Sequence, residues 1–482
     1  MRVLFVTSEC YPLVKTGGLA DVSAALPQAL RALGVDVRVL LPGYPAVLCG
    51  LEGKRMVRSL TGIPGVGRGA LVAGVLPGGV PAYAIESPAL YGRAGNPYLT
   101  ASGADWADNH VRFAALGCVA AEIARTGADD TQWQPDLIHG NDWQSGLMPA
   151  YVAFMGSRRP ATVMTIHNIA YQGQFSPALL STVHLPPHSY HMHGVEYYGG
   201  IGFLKAGLYY ADRLTTVSPT YAREIQSAEH GCGFEGLLST RTDDLTGILN
   251  GVDYGIWNPA LDGHLVANYD HTSVEIKAHN KAALQVEFGL DVNPAAPLFA
   301  MVSRLNWHKG ADLLAEALPA LFARGGQVVL LGTGDAGLEG ALSALGAAHP
   351  RSAGVHIGYD EAQAHRIQAG ADVLLVPSRA EPCGLTQLYA MRYGTLPLVR
   401  RTGGLEDTVI DATPAALADG CATGFAFDEA TPTALGWAIR RAMDLYRAPD
   451  RWRAMQQRAM TRDFGWAGSA REYLQLYQGL AR

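Results

Sequence analysis

Residues 2–44 read RVLFVTSECYPLVKTGGLADVSAALPQALRALGVDVRVLLPGY. An apolar run, RVLFVT, leads into a glycine loop, YPLVKTGGLAD. An amphipathic segment, VSAALPQALRALG, follows, and a second apolar run, DVRVLLPGY, closes the unit. Apolar strands alternating with amphipathic helices specify a parallel sheet covered by helices. The pattern recurs downstream. Residues 105–126 read as a helix, PDLIHGND and ATVMTIHNI as strands, and LTTVSPTYAREI as another strand entering a helix.

A second α/β unit starts near residue 252. PLFAMVSRL, QVVLLGTGD, GVHIGY, ADVLLVPS and TLPLVRR read as five strands, with ADLLAEALPALFARG, DEAQAHRIQAG and LTQLYAMRYG as intervening helices. The fold class is therefore α/β with two Rossmann-like doubly wound domains. The first spans 1–250 and is completed by a helix at 463–482; the second spans 251–462. Asn250-Gly251 reads as a turn that marks the connection. The glycine-rich residues 61–82 read as hairpins or a mobile excursion.

Glycine accounts for 56 of 482 residues and proline for 27. That is below the combined ~25–30% of low-complexity chains, so the glycine excess calls for a folded explanation. Lys and Arg total 37 against 43 Asp and Glu, a net charge of −6, which argues against a nucleic-acid binder. Only six of the cations are lysines: Lys15, Lys54, Lys205, Lys277, Lys281 and Lys309. The six cysteines form no CxxC spacing, as suits a reducing compartment. No apolar run reaches the ~18 residues of a membrane span, and residues 1–7 lack a signal-peptide core. The expectation is a cytoplasmic protein without a membrane partner.

Three motifs sit where strands hand over to helices. In Lys15-Thr16-Gly17-Gly18, glycines admit a phosphate close to the backbone, helix-start N–H groups face it and the lysine adds charge; the alternative is a structural turn with an exposed lysine. Arg304 and Lys309, within SRLNWHKG, leave the end of PLFAMVS five residues apart and can grip two phosphates; the alternative is two solvated charges. Glu381-Pro382-Cys383-Gly384-Leu385-Thr386 follows VLLVPS and opens a helix. Gly384, Leu385 and Thr386 fall at its N-terminus, and Glu381 can accept bonds from sugar hydroxyls or simply favour the helix dipole. Cys383 reads as a small packed residue. Arg401-Thr402-Gly403-Gly404-Leu405 echoes the first motif, either as a second ligand loop or as an ordinary turn.

These residues, with HGNDW (139–143), TIHNIAYQG (165–173), FLKAGLYYAD (203–212), TVSPTYAREI (216–225) and ILNGVD (248–253), resemble the bacterial glycogen synthases and plant starch synthases over essentially the whole chain. The resemblance implies the GT-B fold of glycosyltransferase family 5, with a deep cleft between the domains. It implies an enzyme that transfers glucose from ADP-glucose to the non-reducing-end 4-hydroxyl of an α-1,4-glucan, with retention. Lys15, Gly18 and Asp21 would then meet the donor, and Arg304 and Lys309 its diphosphate, aided by Cys383, Gly384, Leu385 and Thr386. Glu381 would hold the glucose. His167 would offer its backbone carbonyl to the anomeric carbon, with Asn168 beside it. Asp142, Trp143 and Asn250 would line the sugar and acceptor region, Tyr359 would stack on the base, and Tyr91 would lie near the donor.

Several of these residues have plainer readings. His167 suits a satisfied strand-end histidine, Asp142-Trp143 a helix cap beside a core aromatic, and Tyr359 ordinary packing. Where many relatives with this fold carry a second glutamate, position 389 is Tyr, so no ribose contact is assigned, and His308 has no assigned role. The absence of an Asp-x-Asp motif and the several converging cations imply a reaction with no metal and no cofactor. The competing functions are another nucleotide-sugar transferase using UDP-glucose or a small-sugar acceptor, a phosphorylase dependent on pyridoxal phosphate, and a noncatalytic glucan-binding protein.

Overall fold

The computed structural model describes residues 1–128, 133–156 and 159–480. The chain divides into two compact units, Met1–Gly251 with Trp466–Arg482, and Val252–Gly465. In the first unit, nine strands form one sheet in the order Leu245–Gly247, Arg213–Thr216, Ala161–Ile166, Leu137–Asn141, Arg2–Val6, Asp36–Pro42, Pro81–Glu86, Gly69–Val75, Glu52–Leu60. The first seven run parallel. Val3, Leu4, Phe5 and Val6 are fully buried, as a parallel strand covered on both faces requires.

The sheet's far edge is antiparallel. Gly69–Val75 and Pro81–Glu86 form a hairpin whose turn places Gly78 and Gly79 at φ of +91° and +82°. Two successive positive-φ positions suit glycine, so this part of the glycine excess serves a tight turn. Of residues 61–82, Gly69 onward lies in this hairpin, and 61–68 form the connection from Glu52–Leu60.

In the second unit, six parallel strands are ordered Ala353–Ile357, Gln327–Gly332, Leu298–Val302, Val373–Val376, Leu396–Arg400, Phe425–Phe427. The last, three residues long, has no counterpart in the sequence reading. Five of these strands are almost wholly buried, while the edge strand Ala353–Ile357 exposes His356 and Ile357.

The helix expected over 463–482 begins at Trp466. Asp463 accepts the Gly465 N–H at 2.8 Å, and this turn delays the start; residues 481 and 482 lie outside the described residues. This helix packs on helix Gly18–Ala32. Its Tyr477 hydroxyl bonds His139 Nδ1 at 2.6 Å, while His139 Nε2 meets Thr165 Oγ1 at 2.5 Å.

Candidate active site

The first unit gathers one set of residues at the carboxyl ends of its parallel strands, where ligands of open α/β sheets bind. Lys15 follows Arg2–Val6, Asp142 follows Leu137–Asn141, His167 follows Ala161–Ile166 and Asn250 follows Leu245–Gly247. Strand Arg213–Thr216 intervenes before the last.

The Asp142 backbone is unusual, with φ 53° and ψ −176°. A non-glycine residue there costs on the order of 1–3 kcal/mol and points to a functional constraint. The constraint is visible: Oδ1 accepts the backbone N–H of His167 at 2.7 Å and of Asn168 at 3.4 Å. Asp142 stands at the N-cap position of the short helix Trp143–Ser145, as in the plainer reading, but its side chain caps nothing there and instead fixes the turn that presents His167. Burial pushes its pKa up to about 7, against the lowering effect of those two bonds.

His167 is only partly buried. Its Nε2 lies 2.9 Å from Asn141 Oδ1, and Asn141 Nδ2 already donates to the Val6 carbonyl at 3.0 Å. His167 therefore donates from Nε2. Desolvation lowers its pKa, so the ring is neutral. No donor among the described residues reaches the His167 carbonyl. Asn168 turns its side-chain oxygen onto the Ala170 N–H at 3.0 Å. Asn250 is buried, and its Oδ1 has no partner among the described residues.

Two expected site residues belong to the core. Tyr91 is fully buried, its hydroxyl donates to the Arg112 carbonyl, and its ring meets Tyr44 edge-on at 5.8 Å. No surface is left for a donor. Trp143 is packed among Phe113, Phe175 and Phe203. A Cβ at Gly173 would come within 2.2 Å of its ring. Trp143 thus follows the core-aromatic alternative.

Lys15 and Gly18 are exposed, and helix Gly18–Ala32 opens there with Asp21 in its first turn. Lys15 Nζ lies 3.0 Å from Asp21 Oδ1. Such a partly exposed pair is worth ~0–1 kcal/mol, so it readily yields to a phosphate. One residue was missed. Glu9, 2% exposed, receives Thr16 N and Thr16 Oγ1 at 2.5 Å each and Gly17 N at 3.3 Å. The amides of Thr16 and Gly17 are thus already taken, contrary to the expectation of free N–H groups along this loop.

The second unit gathers the other set. Arg304 and Lys309 follow Leu298–Val302, and Glu381–Thr386 follows the adjacent Val373–Val376. Lys309 and Glu381, 72 residues apart, meet at 2.5 Å, and the buried Glu381 carboxylate also accepts Ser378 Oγ at 2.9 Å. Arg304 is exposed and has no side-chain partner among the described residues. The solvated-charge reading of Lys309 therefore fails, while Arg304 stands ready for an anion.

Local backbone sets these positions. Asn306 Oδ1 caps the Lys309 N–H at 3.0 Å. Gly310 follows at φ +71°, where a Cβ would lie 2.2 Å from the Pro377 carbonyl oxygen. Only glycine lets the lysine loop pass this close to the Glu381 loop. Cys383 is buried, and Gly403 and Gly404 pass so near that Cβ atoms would lie 2.0 Å from the Glu381 oxygen and 2.1 Å from that of Cys383. The echo of the first motif is thus a brace, and Arg401 is engaged by Glu406, Asp411 and Asp428. Gly384 sits at φ +72°, Leu385 precedes helix Thr386–Arg392, and Gln387 Nε2 bonds the Gly384 carbonyl at 2.9 Å.

Tyr359, 64% exposed, is no packing residue; its hydroxyl donates to the Glu361 carboxylate. Tyr389 stacks on Trp257 at 4.0 Å, and Trp257 also stacks on His365 at 3.8 Å. An aromatic stack thus fills the position where a ribose-binding glutamate was sought. Among the described residues, no group of three or more His, Cys, Asp or Glu could hold a metal ion, and no helix is long and apolar enough to cross a membrane.

Two α/β units, each with its functional side chains at the carboxyl ends of parallel strands, define a glycosyltransferase of the two-domain type. The starch synthase catalytic domain family matches residues 2–240, and the glycosyl transferases group 1 family matches residues 286–459. The chain is 53% identical to the glycogen synthase of Paramagnetospirillum magneticum, over 100% of this chain and 98% of that protein. It is also 53% identical to that of Serratia proteamaculans, over all of both. The catalytic domain of starch synthase IV from Arabidopsis thaliana, bound to ADP and acarbose, superposes with a TM-score of 0.90 at 29% identity, covering 100% of this chain and 99% of that one. The chain belongs to the glycogen synthase family.

Proposed function

We propose that this enzyme elongates an α-1,4-glucan, moving glucose from ADP-glucose to the 4-hydroxyl of a non-reducing end with retention at the anomeric carbon and release of ADP. The observation that carries the reading is the buried Glu381 carboxylate held by Lys309 beside the exposed Arg304, in a chain of this family. Departure of ADP builds negative charge on the β-phosphate oxygens. Arg304 and Lys309 stabilise it where it develops, with Thr386 and the Gly384 and Leu385 amides beside them and Lys15 adding charge. When Lys309 turns to the phosphate, Glu381 is freed to accept the glucose hydroxyls. Tyr359 offers its exposed ring to the adenine.

The His167 carbonyl stabilises the positive character of the glucosyl carbon, and Asp142 holds it in place. Asn250 serves the sugar and acceptor side with its unpartnered oxygen. The acceptor hydroxyl attacks on the face that ADP leaves, and a phosphate oxygen takes its proton. The reading needs neither metal nor cofactor, since the cations come from side chains. It places the enzyme in the cytoplasm, where its six free thiols stay reduced.

The test is incorporation of labelled glucose into glycogen from ADP-glucose and UDP-glucose side by side, without and with EDTA. The expected result is EDTA-resistant transfer favouring ADP-glucose into linkages that β-amylase removes. No incorporation from either donor would overturn the reading; transfer from UDP-glucose alone would overturn its donor.

A further inference from the structure

The Lys15 loop is exposed and glycine-rich, yet it has a defined conformation. Between the Val14 bridge to Cys10 and the Ala20 N–H, its backbone bonds to the rest of the first unit run, among the described residues, to one side chain, Glu9. Oε2 receives the Thr16 and Gly17 amides, while Oε1 receives the hydroxyls of Thr16 and Tyr98, each at 2.5 Å. The Glu9 backbone is tied in as well. The Glu9 carbonyl accepts Thr7 Oγ1 at 3.1 Å, and Thr7 Oγ1 bonds Ser23 of the following helix at 2.8 Å. Tyr98 is anchored in turn, its carbonyl accepting Asn109 Nδ2 at 3.0 Å and its hydroxyl lying 2.8 Å from Ser8 Oγ.

No cation pairs with Glu9 among the described residues; its four bonds come from neutral donors, and Lys15 is held by Asp21 instead. A buried carboxylate with no cation is costly unless it is fully hydrogen-bonded, and here two of those bonds fix adjacent backbone amides. They flank the residues that matter, Lys15 on one side and the helix start at Gly18 on the other.

The geometry points to Glu9 as a positioning residue for donor binding: its carboxylate clamps the Thr16 and Gly17 amides and so sets Lys15 and the Gly18 helix start for the sugar diphosphate. The inference rests on the proposed donor reading. Glu9 does not touch the donor, and its charge is not required. A glutamine can place its oxygen on the two amides and turn its NH2 toward the Thr16 and Tyr98 hydroxyls, which rotate to accept. An alanine leaves both amides without an acceptor.

The experiment compares wild type, Glu9→Ala and Glu9→Gln as full chains. It measures kcat and KM for ADP-glucose and amide exchange over residues 15–19 without ligand. Glu9→Ala is expected to raise KM at least about tenfold, the scale of leaving a buried amide without an acceptor, with kcat within about threefold and faster exchange confined to the loop. Glu9→Gln is expected to restore both. An unchanged KM in Glu9→Ala would overturn the clamp. So would a loss of kcat alone, which marks misfolding or direct chemistry, and so would a glutamine variant as impaired as alanine. If wild type shows no activity with ADP-glucose, the donor reading fails; the exchange measurement then still tests whether Glu9 holds the loop.

Discussion

Asp142 offers the sharpest test, because its loss should harm catalysis while its neutralisation stabilises the protein. Its carboxylate makes one strong bond, 2.7 Å to the His167 N–H, and one weak bond at 3.4 Å. A charge-assisted bond is worth ~1.5–3 kcal/mol. Asp142→Ala should therefore remove about 2 kcal/mol of transition-state stabilisation, roughly 30-fold in kcat/KM. Asp142→Asn keeps an oxygen in place and a neutral bond, for a loss nearer fivefold, about 1 kcal/mol.

Stability runs the other way. The group ionises at 3.8 in the ordinary case and at about 7 in the fold, because it is buried. The folded state thus holds a proton more tightly than the unfolded chain between those values. The contribution to stability is fully present below the lower value and is lost as pH rises through the upper one. Asp142→Asn should therefore melt a few degrees above wild type at pH 8 and gain nothing at pH 4. If the ionised form carries activity, wild-type kcat/KM should rise as pH passes through about 7, and the asparagine profile should be flat there. Labelled-glucose kinetics from pH 5.5 to 8.5 and thermal melts read both effects. An alanine variant within threefold of wild type, or an asparagine variant less stable at pH 8, would refute the reasoning.

Lys309→Ala should cost ~2–4 kcal/mol in kcat/KM, since it removes a diphosphate contact and leaves buried Glu381 with Ser378; a loss below threefold in donor kinetics would sink the assignment. Glu381→Ala should abolish most turnover with unchanged circular dichroism, and normal turnover would end its sugar-holding role. Gly310→Ala should lower the melting temperature by several degrees, since φ +71° and a carbonyl 2.2 Å away together cost at least about 2 kcal/mol. Tyr91→Phe should leave KM for ADP-glucose unchanged and lose about 1 kcal/mol of stability in denaturant melts; a raised KM would return Tyr91 to the site.

Most of the parallel strands were legible because they are short apolar runs bounded by glycine or a polar turn, as in RVLFV and VLLV. Strands Leu245–Gly247 and Phe425–Phe427 were not, since three residues carry no period. The strand-end motifs were legible as places, but their partners were not. Lys309 and Glu381 meet across 72 residues, and Tyr98 reaches Glu9 across 89; no spacing rule registers such pairs. Glu9 looked like any acidic residue after a strand. Trp143 and Tyr91 show the opposite error: an aromatic residue inside a specific motif reads as a ligand contact, yet its neighbours in space are Phe113, Phe175, Phe203 and Tyr44. Arg401-Thr402-Gly403-Gly404 repeats the wording of the Lys15 loop but spends its glycines on close approach to the Glu381 and Cys383 carbonyls.

The helix Trp466–Leu480 bears on the order in which the molecule is made. The first unit's sheet is synthesised by residue 247, but the Tyr477 partner of its buried His139 arrives more than 200 residues later. Domains fold as units during synthesis, the earlier one first. Here the earlier unit stays unfinished on the ribosome, with one face of helix Gly18–Ala32 bare, until the whole of Val252–Gly465 has been threaded out. The first unit's core is thus completed only after the second unit has been made.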